Sequence, residues 1–265
     1  MLVFLLACST SEHRDLAGFT EFATAFSPNG DLMYIQARTY DDTGRMVSSR
    51  YESSSILLEE STVYEGDCPV NGVRVSTNET GAETYDTTTT CDAQDAPTFS
   101  RSIGVITSNT GMELEYFSWE QRYANKHDDQ GRLIEVVREN GEFHTTYTQV
   151  WGECQSPTFT GYANLNADFG ESRLQCDSEG RRTEIMSTAF DSDGVPWDTT
   201  RTRFAYDTLG RLVSTLRDDG EGTKLQAEYA LIWGDVTAPG PTSETLHEDG
   251  ELTHSWEFSY EKARQ

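Results

Sequence analysis

The chain has 265 residues, of which 35% are hydrophobic, and its 45 Asp and Glu against 20 Lys and Arg give a formal net charge of -25. Such a charge repels nucleic acid and anionic lipid headgroups and argues against either as a direct partner. The length admits one large all-β domain or two smaller ones, and 12 Phe, 12 Tyr and 5 Trp in so polar a chain predict a thin, aromatic core.

The chain opens on the apolar run Leu2-Val-Phe-Leu-Leu-Ala7, followed by Cys8. Leu5-Leu6-Ala7-Cys8 resembles the lipobox of bacterial lipoproteins, which implies that Cys8 is lipidated and becomes the mature N-terminus. The run is short and no basic residue precedes it, so a longer signal peptide is expected upstream. Residues 1–7 read as a signal remnant and residues 8–16, small, polar and charged, as a tether. Ser9 after the cysteine suits sorting to the outer membrane. No other stretch is long and apolar enough to span a bilayer.

From residue 17 onward, strand signals alternate with turns. Phe19 to Phe26 runs into Ser27-Pro-Asn-Gly30, and Leu32 to Tyr40 into Asp41-Asp-Thr-Gly44. A Ser/Thr/Glu-rich stretch leads to Tyr64-Glu-Gly-Asp-Cys68, and the polar segment from Cys68 to Cys91, with Thr87-Thr-Thr-Thr90, reads as an excursion with little to bury. A second unit begins near residue 111: Met112 to His127, the turn Asp128-Asp-Gln-Gly131, a return strand from Arg132, and Asn140-Gly141, the strongest two-residue hairpin signal in the chain. Tyr147, Gln149 and Trp151 then alternate into Trp151-Gly-Glu-Cys154. A third unit, from about residue 187, repeats the order through Asp207-Thr-Leu-Gly210 and Asp218-Asp-Gly220 to Tyr229, Leu231 and Trp233. Asp at the first turn position accepts a backbone N–H, and Gly takes the left-handed position that follows. These units, about 17–110, 111–186 and 187–265, make one domain with an all-β fold. The expectation is an antiparallel meander of repeated hairpins forming a curved sheet or open barrel-like sandwich.

The repeat also pairs the cysteines. Cys68 and Cys154 each follow a Gly-acid corner, and Cys91 and Cys176, 23 and 22 positions later, each precede an Asp. The third unit has Val236 in the first position and lacks both members of the pair. Cys68–Cys91 and Cys154–Cys176 are therefore expected as disulfides, each contributing roughly 2–4 kcal/mol, in an oxidising compartment. No Cys-x-x-Cys or clustered His accompanies them, which argues against zinc.

Tyr206-Asp-Thr-Leu-Gly-Arg-Leu212, with its variants Tyr40-Asp-Asp-Thr-Gly-Arg-Met46 and His127-Asp-Asp-Gln-Gly-Arg-Leu133, resembles the YD repeat of RHS proteins. The resemblance implies β architecture and an envelope location. The chain is too short to form the shell of large RHS proteins and shows no toxin-like domain after its repeats, so toxin delivery does not carry over.

No nucleophile–base set, phosphate loop or dinucleotide fingerprint is present, so no catalytic residue and no cofactor is expected. Asp191-Ser-Asp-Gly194 and Asp41-Asp-Thr-Gly44 gather oxygens, but turn geometry explains them without a metal. The aromatic rows are a possible ligand face: Tyr147, Trp151, Tyr229, Trp233, Trp256 and Tyr260. The expectation is a non-enzymatic, lipid-anchored envelope scaffold that meets the membrane through its anchor and binds a protein, glycan or lipid. The alternative is a periplasmic lipid or lipoprotein carrier with a half-open β-barrel, and then a hydrolase.

Overall fold

A computed structural model describes residues 16–140, 143–151, 158–163, 169–191, 193–221, 225–234 and 239–262. Cys8 and Cys154 lie outside them. Strand β1 (Phe19–Phe26) comes first. A set of six follows: β2 (Leu32–Tyr40), β3 (Met46–Ser53), β4 (Ile56–Glu65), β5 (Cys68–Asn78), β6 (Gly81–Cys91) and β7 (Pro97–Ser108). The second set is β8 (Glu113–His127), β9 (Leu133–Asn140), β10 (Phe143–Val150), β11 (Thr158–Ala163), β12 (Phe169–Cys176) and β13 (Arg182–Phe190). Five more complete the chain: β14 (Pro196–Tyr206), β15 (Leu212–Asp218), β16 (Leu225–Ile232), β17 (Ser243–Glu248) and β18 (Glu251–Lys262).

The fold is the expected all-β antiparallel meander. Every strand pairs with the next in the chain, from β1–β2 to β17–β18. The sheet curves until β18 also pairs with β1, setting Ala25 opposite Trp256 and Glu21 opposite Tyr260. Each described strand thus pairs with a neighbour on either side, although β8 overhangs β9: Glu113–Gln121 pair with β7, and β9 covers only Arg122–His127.

Strand β1 serves as the sixth strand of the third set. It enters β2 through a turn in which the Gly30 N–H donates to the Ser27 carbonyl at 2.9 Å. The same bond recurs between β7 and β8, from Gly111 to Ser108, and between β13 and β14, from Gly194 to Asp191. In the first two sets a Cys-Asp corner leads into the sixth strand. The third set has no such corner, and with it no second cysteine.

Paired positions followed around the sheet stay on one face. Ala25 leads to Tyr34, Glu21 to Arg38, Arg38 to Ser49, Ser49 to Glu60 and Glu60 to Arg74. The path returns through Tyr229, Leu246 and His254 to the face of Trp256. On this face lie most of the buried residues, Glu21, Ala23, Ala25, Ser49, Thr89, Ser102, Gln121, Leu231 and Leu246, so it is the concave one; Asp218, buried on the other face, is held by Arg201 and Arg203. Small and polar residues take the crowded places, and the core is thin. The convex face carries ion pairs such as Arg50–Glu59 at 2.8 Å and Arg101–Glu120 at 3.7 Å, which do not suit contact with hydrocarbon.

The polar segment between Cys68 and Cys91 departs from its sequence reading. It forms two full strands, β5 and β6, paired from Asn71–Thr88 to the turn at Asn78–Gly81. Its threonines supply β-branched side chains that fit a pleated sheet. Their hydroxyls bond across to β7, Thr87 to Ser102 at 2.8 Å and Thr89 to Ser100 at 3.4 Å. The Cys68–Cys91 disulfide forms as expected, with the Cα atoms 6.0 Å apart, tying the start of β5 to the end of β6. Cys176 is also disulfide-bonded.

Candidate functional site

The sequence places an Asp-x-x-Gly-Arg corner at four strand junctions, and each builds the same device. In the corner from β14 to β15, Asp207 Oδ1 accepts the N–H groups of Leu209 and Arg211, both at 2.9 Å, while Oδ2 accepts Arg211 Nε at 2.8 Å. Gly210 holds φ +78°, the left-handed conformation that glycine adopts without steric cost. The Arg211 guanidinium, fixed by that fork, lies 5.0 Å over the Trp233 ring. Trp233 in turn donates its Nε1–H to the Leu212 carbonyl at 2.7 Å.

The pattern repeats with Asp41, Arg45 and Tyr64, with Asp128, Arg132 and Trp151, and with Asp177, Arg181 and Tyr206. In each, the aromatic polar tip donates to the carbonyl of the residue after the arginine: Tyr64 to Met46, Trp151 to Leu133, and Tyr206 to Arg182. One residue type thus carries three roles: it closes a turn, holds an arginine, and through it pins the aromatic ring of a neighbouring strand.

A fifth corner, from β6 to β7, shows what the motif can lose. Asp95 takes the glycine position at φ 60° and Ala96 the arginine position. Asp92 Oδ1 still accepts the N–H groups of Gln94 and Ala96, at 3.0 Å each. Its Oδ2 turns instead to Asn125 at 3.1 Å and lies 3.8 Å from His127 Nε2. His127, in the slot that Tyr40 and Tyr206 hold at their corners, contacts this carboxylate. Asp191 Oδ1 likewise accepts Asp193 and Val195 N–H groups, at 3.0 and 2.8 Å, which accounts for its place without a cation.

These bonds set the titration of the corner carboxylates. Arg132 hydrogen-bonds Asp128 and holds it below the usual carboxylate range, with the Arg132 and Gln130 N–H groups adding to the effect. At Asp41, Asp177 and Asp207 partial burial pushes the other way, and the hydrogen bonds outweigh it. A carboxylate depressed in the folded state stabilises fully above its unfolded value, about 3.9, and that stability is lost as pH falls through the folded values. Protonating surface acids on the way to the pI of about 4.4 also relieves self-repulsion. The melting temperature is therefore expected to hold or rise from pH 7 to 5 and to fall steeply below about pH 4. Asp128→Asn should flatten part of that acid limb in a thermal-melt series.

Four residues of the predicted ligand face, Tyr147, Tyr229, Trp256 and Tyr260, share the concave face by register. Trp151 and Trp233 follow the ends of β10 and β16 at its rim, under their arginines. Tyr260 donates to the Pro241 carbonyl at 2.8 Å, and Trp256 donates to the Tyr34 hydroxyl at 2.7 Å while stacking on His254. Burial pushes the Tyr229 phenol up, and Glu244 and Glu248 add to the shift. Water reaches this face: Tyr147 is 36% exposed, and Trp119, on the same face opposite Ser102, is 40% exposed.

Sequence reading missed a hollow on this face. A cavity of about 330 Å³ lies over β3–β6, lined among others by Ser49, Glu60, Thr62, Gly72, Arg74 and Thr89. Arg74 Nε stands 3.5 Å from Glu60 Oε1, and Ser49 Oγ the same distance from Glu60 Oε2. A second hollow of about 340 Å³ sits at the β8–β10 corner, where Arg132 and Trp151 line it.

No family model matches the chain, and no curated protein sequence matches it. Among solved structures it is similar to a porin-like protein from Bacteroides vulgatus, at 12% identity over 91% of this chain and 97% of that one, with a TM-score of 0.40. It is also similar to a porin-like protein from Bacteroides uniformis, at 9% identity over 94% and 99% of the two chains, with a TM-score of 0.39. Both likenesses are loose in three dimensions, and nothing about function follows from them.

Proposed function

We propose that the protein is a non-enzymatic, lipid-anchored envelope protein whose curved sheet displays a binding surface on its concave face. The observation that carries this reading is the gathering of aromatic and polar side chains on one water-accessible concave face, held by corners that fix the rings. The disulfides support an oxidising compartment. The four Asp-x-x-Gly-Arg corners support the resemblance to YD repeats, since Asp, Gly and Arg each have a defined task in them. The described residues begin at the corner rim, where the Gly18 N–H donates to the Asp41 carbonyl at 2.8 Å. An anchored chain would thus turn the opposite rim away from the bilayer.

The carrier reading is less well supported, because the concave face includes Glu21, Arg38, Glu60 and Arg74, charges that an acyl chain would desolvate. Two measurements test the proposal. Cys8→Ala is expected to move the protein from the membrane fraction to the soluble one; unchanged partitioning would remove the anchor. Native mass spectrometry is expected to show no acyl ligand, and a co-purifying lipid would favour the carrier.

A further inference from the structure

We propose that the cavity over Gly72 binds a short neutral glycan. The inference rests on the reading of the concave face as a binding surface and assigns that surface a ligand class. It starts from a glycine that the backbone does not need. Gly72 lies inside β5, paired with Thr62 on one side and Thr87 on the other. Its conformation is not left-handed, and an added Cβ would meet only Ser61 O at 3.7 Å and Thr87 Cβ at 3.9 Å, ordinary contact distances. Glycine within a strand weakens it, and a place where another group approaches the backbone is one reason to keep it. Here its missing side chain gives the cavity its floor.

The volume, about 330 Å³, is at the small end of ligand sites and suits about one or two sugar rings. The lining decides the class. Ser49, Thr62, Thr87 and Thr89 bring hydroxyls beside the apolar Met46, Pro69 and Val73; those of Ser49, Thr87 and Thr89 already bond Glu60, Ser102 and Ser100 and keep lone pairs that can accept from a ligand. Glu60 and Arg74, 3.5 Å apart, add a carboxylate and a guanidinium whose charges cancel. A neutral polyol can replace the water on all of these with hydrogen bonds of its own. The competing classes each meet an obstacle. An acyl chain would strip water from the Glu60–Arg74 pair without replacing it. An anion would face Glu60 within a strongly acidic chain. A peptide finds no open edge at this hollow, because Asn71–Asn78 of β5 are paired on both sides.

The test uses the full chain and a panel of maltose, cellobiose, lactose and diacetylchitobiose, read by calorimetry and ligand-observed NMR. At least one is expected to bind in the millimolar range or tighter. Gly72→Leu should fill the floor and weaken that binding by at least about tenfold while the melting temperature rises, so that lost binding is not lost fold. Glu60→Gln keeps the shape and should weaken binding less. Three results would overturn the proposal: no sugar of the panel binds, Gly72→Leu binds as well as the parent, or dodecanoate binds and is the ligand that Gly72→Leu expels. The Cys8→Ala partition experiment is independent, so a failed anchor and a failed glycan site give different patterns.

Discussion

Removing residues 1–26 is expected to abolish recoverable folded protein, whereas removing residues 1–15 should leave the melting temperature unchanged. The longer deletion takes away β1, which pairs at eight positions with β18 and at seven with β2. At about 1 kcal/mol for each hydrogen bond, two lost ladders amount to something on the order of the whole stability of a domain, about 5–15 kcal/mol. The loss also strips Ala25, fully buried, from between Trp256 and Tyr34, and leaves two long edges open to aggregation. Size exclusion and far-ultraviolet circular dichroism would show the outcome. A synthetic peptide of residues 16–27 should restore a cooperative melt by occupying the vacant place. A truncated chain that melts like the parent would mean that β1 does not close the sheet in solution.

Trp233→Ala is expected to destabilise the protein by about 3 kcal/mol, as is usual when a large packed aromatic is truncated. Trp233→Phe should cost only about 1 kcal/mol, because it keeps the stack under Arg211 and loses the Nε1–H bond to the Leu212 carbonyl. Urea midpoints of the two variants separate these roles. If the ring serves a ligand and not the corner, both variants would unfold at the parent midpoint.

The corners were legible because their rule is local. Asp207, Gly210 and Arg211 lie within five residues, and turn chemistry alone selects the first two. Arginine was harder to read. Its stacking partner Trp233 is 22 residues on, so pattern could mark the tryptophan as aromatic and exposed to ligand but could not show the guanidinium above it. Cys68–Cys91 was legible through repetition, since a sister copy carries the same spacing. The segment between those cysteines was misread because Thr87-Thr-Thr-Thr90 and Gly72 lack the apolar alternation that marks a half-buried strand. Its strands are held by hydroxyl pairs and flanking ladders. The cavity went unseen with them, although a glycine amid Val70, Val73 and Val75 was the signal that could have found it. The β1–β18 pairing joins positions more than 200 residues apart, which no local pattern encodes.

That pairing also sets a timetable. Of the described strands, the first to emerge from a ribosome or a secretion channel cannot take up its final place until the last of them has followed. Contacts of such sequence separation form late and slow the folding of all-β chains, since the closing loop must be gathered before its bonds repay it. Nearly the whole sheet can assemble outward from its hairpins while β1 and β18 wait. Completion is then one event at one seam, and the half-made protein carries two unsatisfied margins until it occurs.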